Sequence, residues 1–123
     1  VIGVTILTSL ADADLARVGF EGNVIRNVER LARLSLACGL DGVVCSAQEA
    51  AIVRKATNPE FVLVTPGIRL ASDAVQDQAR VVTPIDAIRN GANYLVIGRS
   101  ITGAPDPIAK LTQIRESLEG APA

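Results

Sequence analysis

Residues 94–102 read YLVIGRSIT, an apolar run that stops at Gly98-Arg99 and continues through two hydroxyl side chains. Packed Val, Ile and Leu of this kind predict a strand covered on both faces, as in a parallel sheet. The glycine, the fixed positive charge and the hydroxyls then lie where the strand leaves the core. That end of a parallel strand is where α/β proteins place their ligands.

Composition limits what this arginine could serve. The chain has 123 residues, 49% hydrophobic and 20% charged, with a formal net charge of -1. This is an ordinary globular balance, without the basic excess of a nucleic-acid binder. No apolar run reaches the ~18 residues of a membrane span, and no basic stretch precedes an apolar segment at the N-terminus. A cytoplasmic location is therefore expected. The chain begins at Val1 inside a strand pattern, without Met, and so reads as trimmed. Cys38 and Cys45 do not form a C-x-x-C pair, and their apolar neighbours in LACGL and GVVCS predict two small core residues in a reducing compartment.

Histidine is absent, which removes histidine-based triads, histidine acid/base catalysis and histidine metal sites. Two scattered cysteines do not make a zinc site either. Lysine is reduced to Lys55 and Lys110, against ten arginines.

One arrangement recurs four times along the chain: an apolar run, a residue able to cap a helix, and a segment of helical periodicity. VIGVTIL leads to Ser9 with Asp12 three residues on, and DGVVC leads to Ser46 with Glu49 three residues on, both of capping-box form. FVLVTPGI leads through a polar loop to Thr83-Pro84, and YLVIG leads to Asp106-Pro107; a cap followed by proline is a helix start. The first round is irregular. An extra helix is predicted at about 23–38, with Val24, Val28, Leu31, Leu34 and Cys38 on one face and Gly39 as its stop.

Four strand-helix rounds, no hairpin signal and 2% aromatic residues predict an all-parallel α/β fold over residues 1–123. It could be a free-standing doubly wound sheet or half of a (β/α)8 TIM barrel, since a whole barrel takes ~250 residues. The ends of the last two strands favour the half-barrel, because TPGIR and VIGRS both finish in glycine and arginine where such barrels hold phosphate. A phosphate dianion needs donors and compensating charge. Gly98 lets the backbone approach, Arg99 supplies a two-pronged cationic donor, and Gln78 in the loop SDAVQDQAR could donate from above. The competing readings are a surface arginine snorkelling from a strand end and a solvated loop glutamine.

The blocks VTILTSL, GLDGVVCSAQEA, VLVTPGIR, the DQ before RVVTP, and GANYLVIGRSIT followed by DP together resemble orotidine 5'-phosphate decarboxylase in its bacterial form. They occur in the order of that family and cover nearly the whole chain. The match is to its C-terminal half, strands five to eight of the barrel. The resemblance implies decarboxylation of orotidine monophosphate to uridine monophosphate without metal or organic cofactor, by a dimer with sites at the subunit boundary. It also implies that Arg99 and the Gly98 backbone grip the phosphate, that Gln78 bridges from the phosphate loop toward the pyrimidine, and that Arg69 belongs to the nucleotide-binding set. Thr8 and Ser9 match positions at the pyrimidine end, although Ser9 could equally be the helix cap described above. The strand-end GRS would also suit another phosphate-binding barrel of the ribulose-phosphate group, but TPGIR together with DQ resembles the decarboxylase more closely.

The departure from the family is as informative as the match. Its catalytic centre is an alternating Lys and Asp array with a D-x-K-x-x-D motif, and neither Lys55 nor Lys110 follows an Asp by two residues. No catalytic residue is therefore assigned in this chain, and the chain alone is expected to be inactive. Four strands of a barrel leave two open edges and an apolar inner face, so the expected partners are an N-terminal half-barrel or a second copy of the chain. A self-associating, non-catalytic half-barrel is the alternative reading of its function.

Overall fold

The computed structural model describes residues 1–70 and 82–119. In chain order the elements are β1 (Ile2–Val4), α1 (Asp12–Arg17), α2 (Val24–Ala37), β2 (Gly42–Val44), α3 (Ala50–Ala56), β3 (Val62–Thr65), α4 (Pro84–Arg89), β4 (Tyr94–Leu95), α5 (Arg99–Thr102) and α6 (Pro107–Glu119). The strands form one sheet in the order β1-β2-β3-β4, and every neighbouring pair is parallel. Strictly sequential order has no switch point, which a doubly wound sheet requires. The free-standing doubly wound alternative is thereby excluded.

Alternation along the strands divides the sheet into two unequal faces. Val43 and Leu63 point to the helix layer and are fully buried with Leu15 of α1, Val28 and Ala32 of α2, and Ala50 and Val53 of α3. Leu95 continues that layer against Ala87 of α4 in a second, smaller cluster. The opposite face carries Ile2, Val4, Val44, Val62, Val64 and Tyr94, with Val4, Val44, Val64 and Tyr94 in register across all four strands. No helix covers it: Val4 is 61% and Tyr94 63% exposed. At Gly42 a Cβ would stand 2.1 Å from the Val62 carbonyl, so the approach of β2 to β3 requires glycine there.

The helix boundaries follow capping chemistry. The side chain of Asn23 accepts from the Arg26 N–H and opens α2. At its other end Leu40 N–H donates to Ser35 O and Gly39 N–H to Leu36 O, both at 3.0 Å, with Gly39 at φ +78°. This pattern is a Schellman stop. Thr83 accepts from Asp86 N–H ahead of Pro84, and Asp106 accepts from Ala109 N–H ahead of Pro107, as the sequence predicts.

Four expectations are corrected. Ser9 does not cap α1: the cap position is Ala11, whose N–H donates to Asp14, while Asp12 accepts from the Val24 N–H and ties α1 to α2. Ser46 makes half of a capping box, its N–H donating to Glu49 Oε2 at 3.0 Å. The buried stripe of α2 runs through Asn27, Val28 and Ala32, leaving Leu34 and Cys38 exposed, so only Cys45 is a core thiol. A true 3.6-residue repeat drifts off the spacing read from the sequence, so the inward side of the last turn is Ser35 and Leu36 rather than Leu34. Finally, the loop after β4 holds a short helix, α5, which makes the fourth round irregular as well.

The end of the sheet where the strands begin is fastened by one side chain. Arg54, on α3, donates to the carbonyls of Asn58, Pro59, Phe61 and Gly91 and to Asn93 Oδ1, which also accepts from Leu63 N–H. It thus joins α3 to the starts of both β3 and β4.

Candidate functional site

At the other end, where β3 and β4 stop, the chain leaves the sheet in two short turns that face one another. Beyond β3, Pro66 and Gly67 lead to Ile68 and Arg69, and a parallel bridge pairs Ile68 with Val82 while Arg69 N–H donates to Val82 O at 3.3 Å. This bridge brings together the two ends of the 71–81 segment. Beyond β4, Gly98 occupies the cap position of α5 and Arg99 its first turn. The N–H groups that open a helix have no intrahelical acceptor, so this turn presents donors at the strand end.

Between the two turns lies an open cleft of about 470 Å³, lined by Pro66, Gly67, Ile68, Arg69, Val96, Gly98, Arg99 and Ser100. Three of the residues singled out in the sequence, Arg69, Gly98 and Arg99, come together here. Arg69 is half-buried and Arg99 exposed, and neither guanidinium makes a hydrogen bond or ion pair among the described residues. Two unpaired guanidinium groups beside a backbone turn form an anion-binding arrangement, because bidentate arginine donors suit phosphate oxygens.

Thr8 and Ser9 are not part of this cleft. Both are exposed after β1, at the far edge of the sheet, and three strand spacings of about 4.8 Å separate β1 from β4. Gln78 lies outside the described residues. Sequence reasoning missed Ser100, Val96 and Ile68 as lining residues. Ser100 was legible as the residue after Arg99 in a turn, whereas Ile68 is placed by its bridge to Val82, which no local pattern announces. Among the described residues, no group of three or more Asp, Glu or Cys side chains is gathered as a metal site would need. No helix of the described residues is long and apolar enough to cross a membrane.

The sheet and the sequence agree with known proteins. The family model described as "Orotidine 5'-phosphate decarboxylase / HUMPS family" matches residues 1–114. An orotidine 5'-phosphate decarboxylase of Laribacter hongkongensis is 56% identical over 117 residues, which cover 95% of this chain and 48% of that protein. One of Hydrogenovibrio crunogenus is also 56% identical over 117 residues, covering 95% of this chain and 50% of the relative. The crystal structure of orotidine 5'-phosphate decarboxylase from Lactobacillus acidophilus superposes with a TM-score of 0.78 at 33% identity, over 97% of this chain and 49% of that one. The chain therefore spans about half the length of the curated relatives it matches, and its four βα rounds are half of their TIM barrel. A sheet in sequential order, glycine-arginine ends on its last two strands and a match over residues 1–114 together establish that this chain belongs to the orotidine 5'-phosphate decarboxylase / HUMPS family.

Proposed function

We propose that the chain is the C-terminal, phosphate-gripping half of an orotidine 5'-phosphate decarboxylase, acting on orotidine monophosphate in pyrimidine biosynthesis in the cytoplasm. The observation that carries this reading is the cleft lined by both Arg69 and Arg99, neither guanidinium having a partner among the described residues, beside the Gly98 turn. In this reading Arg99 and the Gly98 and Ser100 backbone take the phosphate. Arg69 adds charge on the opposite wall, Thr8 and Ser9 belong to the pyrimidine end, and Gln78, outside the described residues, is assigned to the nucleotide by the family resemblance.

The chain alone is read as catalytically silent. A remote phosphate accelerates a reaction only when its binding energy holds the reacting atoms against groups that act on the transition state. Decarboxylation here needs a lysine that protonates the developing carbanion. Lys55 is exposed on α3 and Lys110 lies on α6, neither of them in the cleft. The Lys/Asp array would come from an N-terminal half-barrel, and no metal or organic cofactor enters the scheme.

The test is reconstitution. The 123-residue chain is mixed with a separately produced N-terminal half carrying the D-x-K-x-x-D segment, and formation of uridine monophosphate is followed. No turnover by the chain alone and turnover by the mixture are expected. A stable complex of both halves that remains inactive would overturn the assignment.

A further inference from the structure

Of the asparagines in the chain, Asn90 alone is followed by glycine. The fold makes that neighbour necessary. Asn90 ends α4, and Gly91 takes the left-handed turn after it at φ +102°. Gly91 N–H donates to Ile88 O at 2.9 Å and Ala92 N–H to Ala87 O at 3.0 Å, a Schellman stop. A Cβ at position 91 would also stand 3.3 Å from the Arg54 side chain, so any residue but glycine is strained there. The half-buried Asn90 side chain makes a contact of its own: its Nδ2 donates to Ala47 O at 3.2 Å and ties the end of α4 to the turn after β2.

An asparagine before glycine carries a reaction within itself. Once a base removes the Gly91 N–H proton, the nitrogen lone pair can bond Asn90 Cγ, because glycine has no side chain to obstruct the approach. The Cγ–Nδ2 bond breaks and the side-chain nitrogen leaves as ammonia. Water then opens the cyclic imide at either carbonyl, leaving aspartate or isoaspartate, and no other reactant enters. The native structure engages both reacting groups, since Gly91 N–H is held by Ile88 O and the Asn90 amide by Ala47 O.

We propose that Asn90-Gly91 is a self-deamidation site, kept shut by the native fold and opened when the end of α4 frays, and that its conversion releases α4 from the turn after β2. The release follows from the products. An aspartate side chain has only acceptors, so at position 90 it meets the Ala47 carbonyl with no proton to share. Isoaspartate in addition lengthens the backbone at the Schellman turn. Ala47, Ala87 and Ala92 are buried in one cluster with Ile68, which lines the cleft, so the tie is lost in the cluster that supports a cleft wall. The inference rests on the geometry around α4 and is independent of the nucleotide reading.

The 123-residue chain is incubated in mildly alkaline buffer, either folded or unfolded in guanidinium chloride, and conversion at each asparagine is followed by peptide mapping with mass spectrometry. In the unfolded chain Asn90 should convert faster than Asn23, which precedes valine. Folding should slow Asn90 by at least about tenfold, since a reaction that needs an open form follows the population of that form. Asn90→Asp, which writes one product into the chain, should lower the urea midpoint. Conversion at Asn90 no faster than at Asn23 in the unfolded chain would overturn the site. Equal rates in the folded and unfolded chains would overturn its protection, and an unchanged midpoint for Asn90→Asp would overturn the tie to Ala47.

Discussion

The two ends of this sheet use arginine in opposite ways. At the end where the strands begin, the Arg54 guanidinium is spent on five acceptors from two segments, and it holds α3, β3 and β4 in one arrangement. At the end where they stop, Arg69 and Arg99 line a cleft and bind nothing among the described residues. A satisfied arginine is architecture, because its donors are already matched. An unsatisfied one beside a turn is, in the proposed reading, free to bind a ligand. Barrels separate stability and chemistry between their two faces in this way.

The contrast predicts its largest effect at Arg54. Truncation to alanine leaves the carbonyls of Phe61 and Gly91 without this donor in a half-buried place, while Asn93 Oδ1 keeps the Leu63 N–H. Hydrogen bonds to a charged group contribute roughly 1.5–3 kcal/mol each and do not add fully, so Arg54→Ala should cost about 3 kcal/mol of stability. Urea unfolding followed by circular dichroism checks this. A loss below about 0.5 kcal/mol, the range of ordinary surface changes, would show that the clamp is ornamental.

Arg99→Ala is the mirror case. Among the described residues its guanidinium bonds nothing, so the urea midpoint should stay unchanged. Affinity for uridine monophosphate in the reconstituted two-half complex should instead fall about 10- to 100-fold, or roughly 1.4–2.7 kcal/mol, the scale of one charge-assisted phosphate contact. Titration calorimetry distinguishes the outcomes. Unchanged affinity with lowered stability would mean that the two ends had been assigned the wrong way round.

These two residues also mark how far the sequence could be read. The place of Gly98-Arg99 just past a strand was legible because an apolar strand pattern ended there. Arg54 was not, since its partners lie four to 39 residues away and only the packing of three segments brings them together. Sequential strand order, the extra helix with its Gly39 stop, and the caps at Thr83 and Asp106 followed from local signals. The cap of α1 did not. Ser9 has the right chemistry, but Asp12 is drawn to the Val24 N–H and the helix starts later, at Ala11. A capping box is decided by competition between neighbouring turns, which spacing alone does not encode.

A smaller effect separates cap from cleft. Thr83 closes the segment that the Ile68–Val82 bridge begins, accepting from Asp86 N–H at 3.2 Å while its own hydroxyl donates to Asp86 Oδ2 at 2.7 Å. Thr83→Ala should cost about 1 kcal/mol of stability, as removal of a helix cap usually does. Serine at this position should restore most of it, which a purely packing role for the threonine methyl would not allow.

The smallest effect concerns the two thiols and sharpens the division between core and surface. Cys45 is buried, and desolvation first, then the neighbouring Glu49 carboxylate, push its pKa up from 9.0 to about 12, against a lowering by Arg54. Because the folded value lies above the unfolded one, the protonated thiol favours the fold. Its contribution is fully present below about pH 9 and is lost as pH rises from there toward 12. At pH 8 the folded chain should therefore react with one equivalent of a thiol reagent, at exposed Cys38, and with two after unfolding. Near pH 10 the second equivalent should still wait for unfolding, since the barrier is exclusion of charge from the core rather than a shortage of hydroxide. Prompt modification of both thiols at pH 8 would mean that the helix layer over β2 opens on its own where that strand stops, at the end of the sheet opposite the Arg54 clamp.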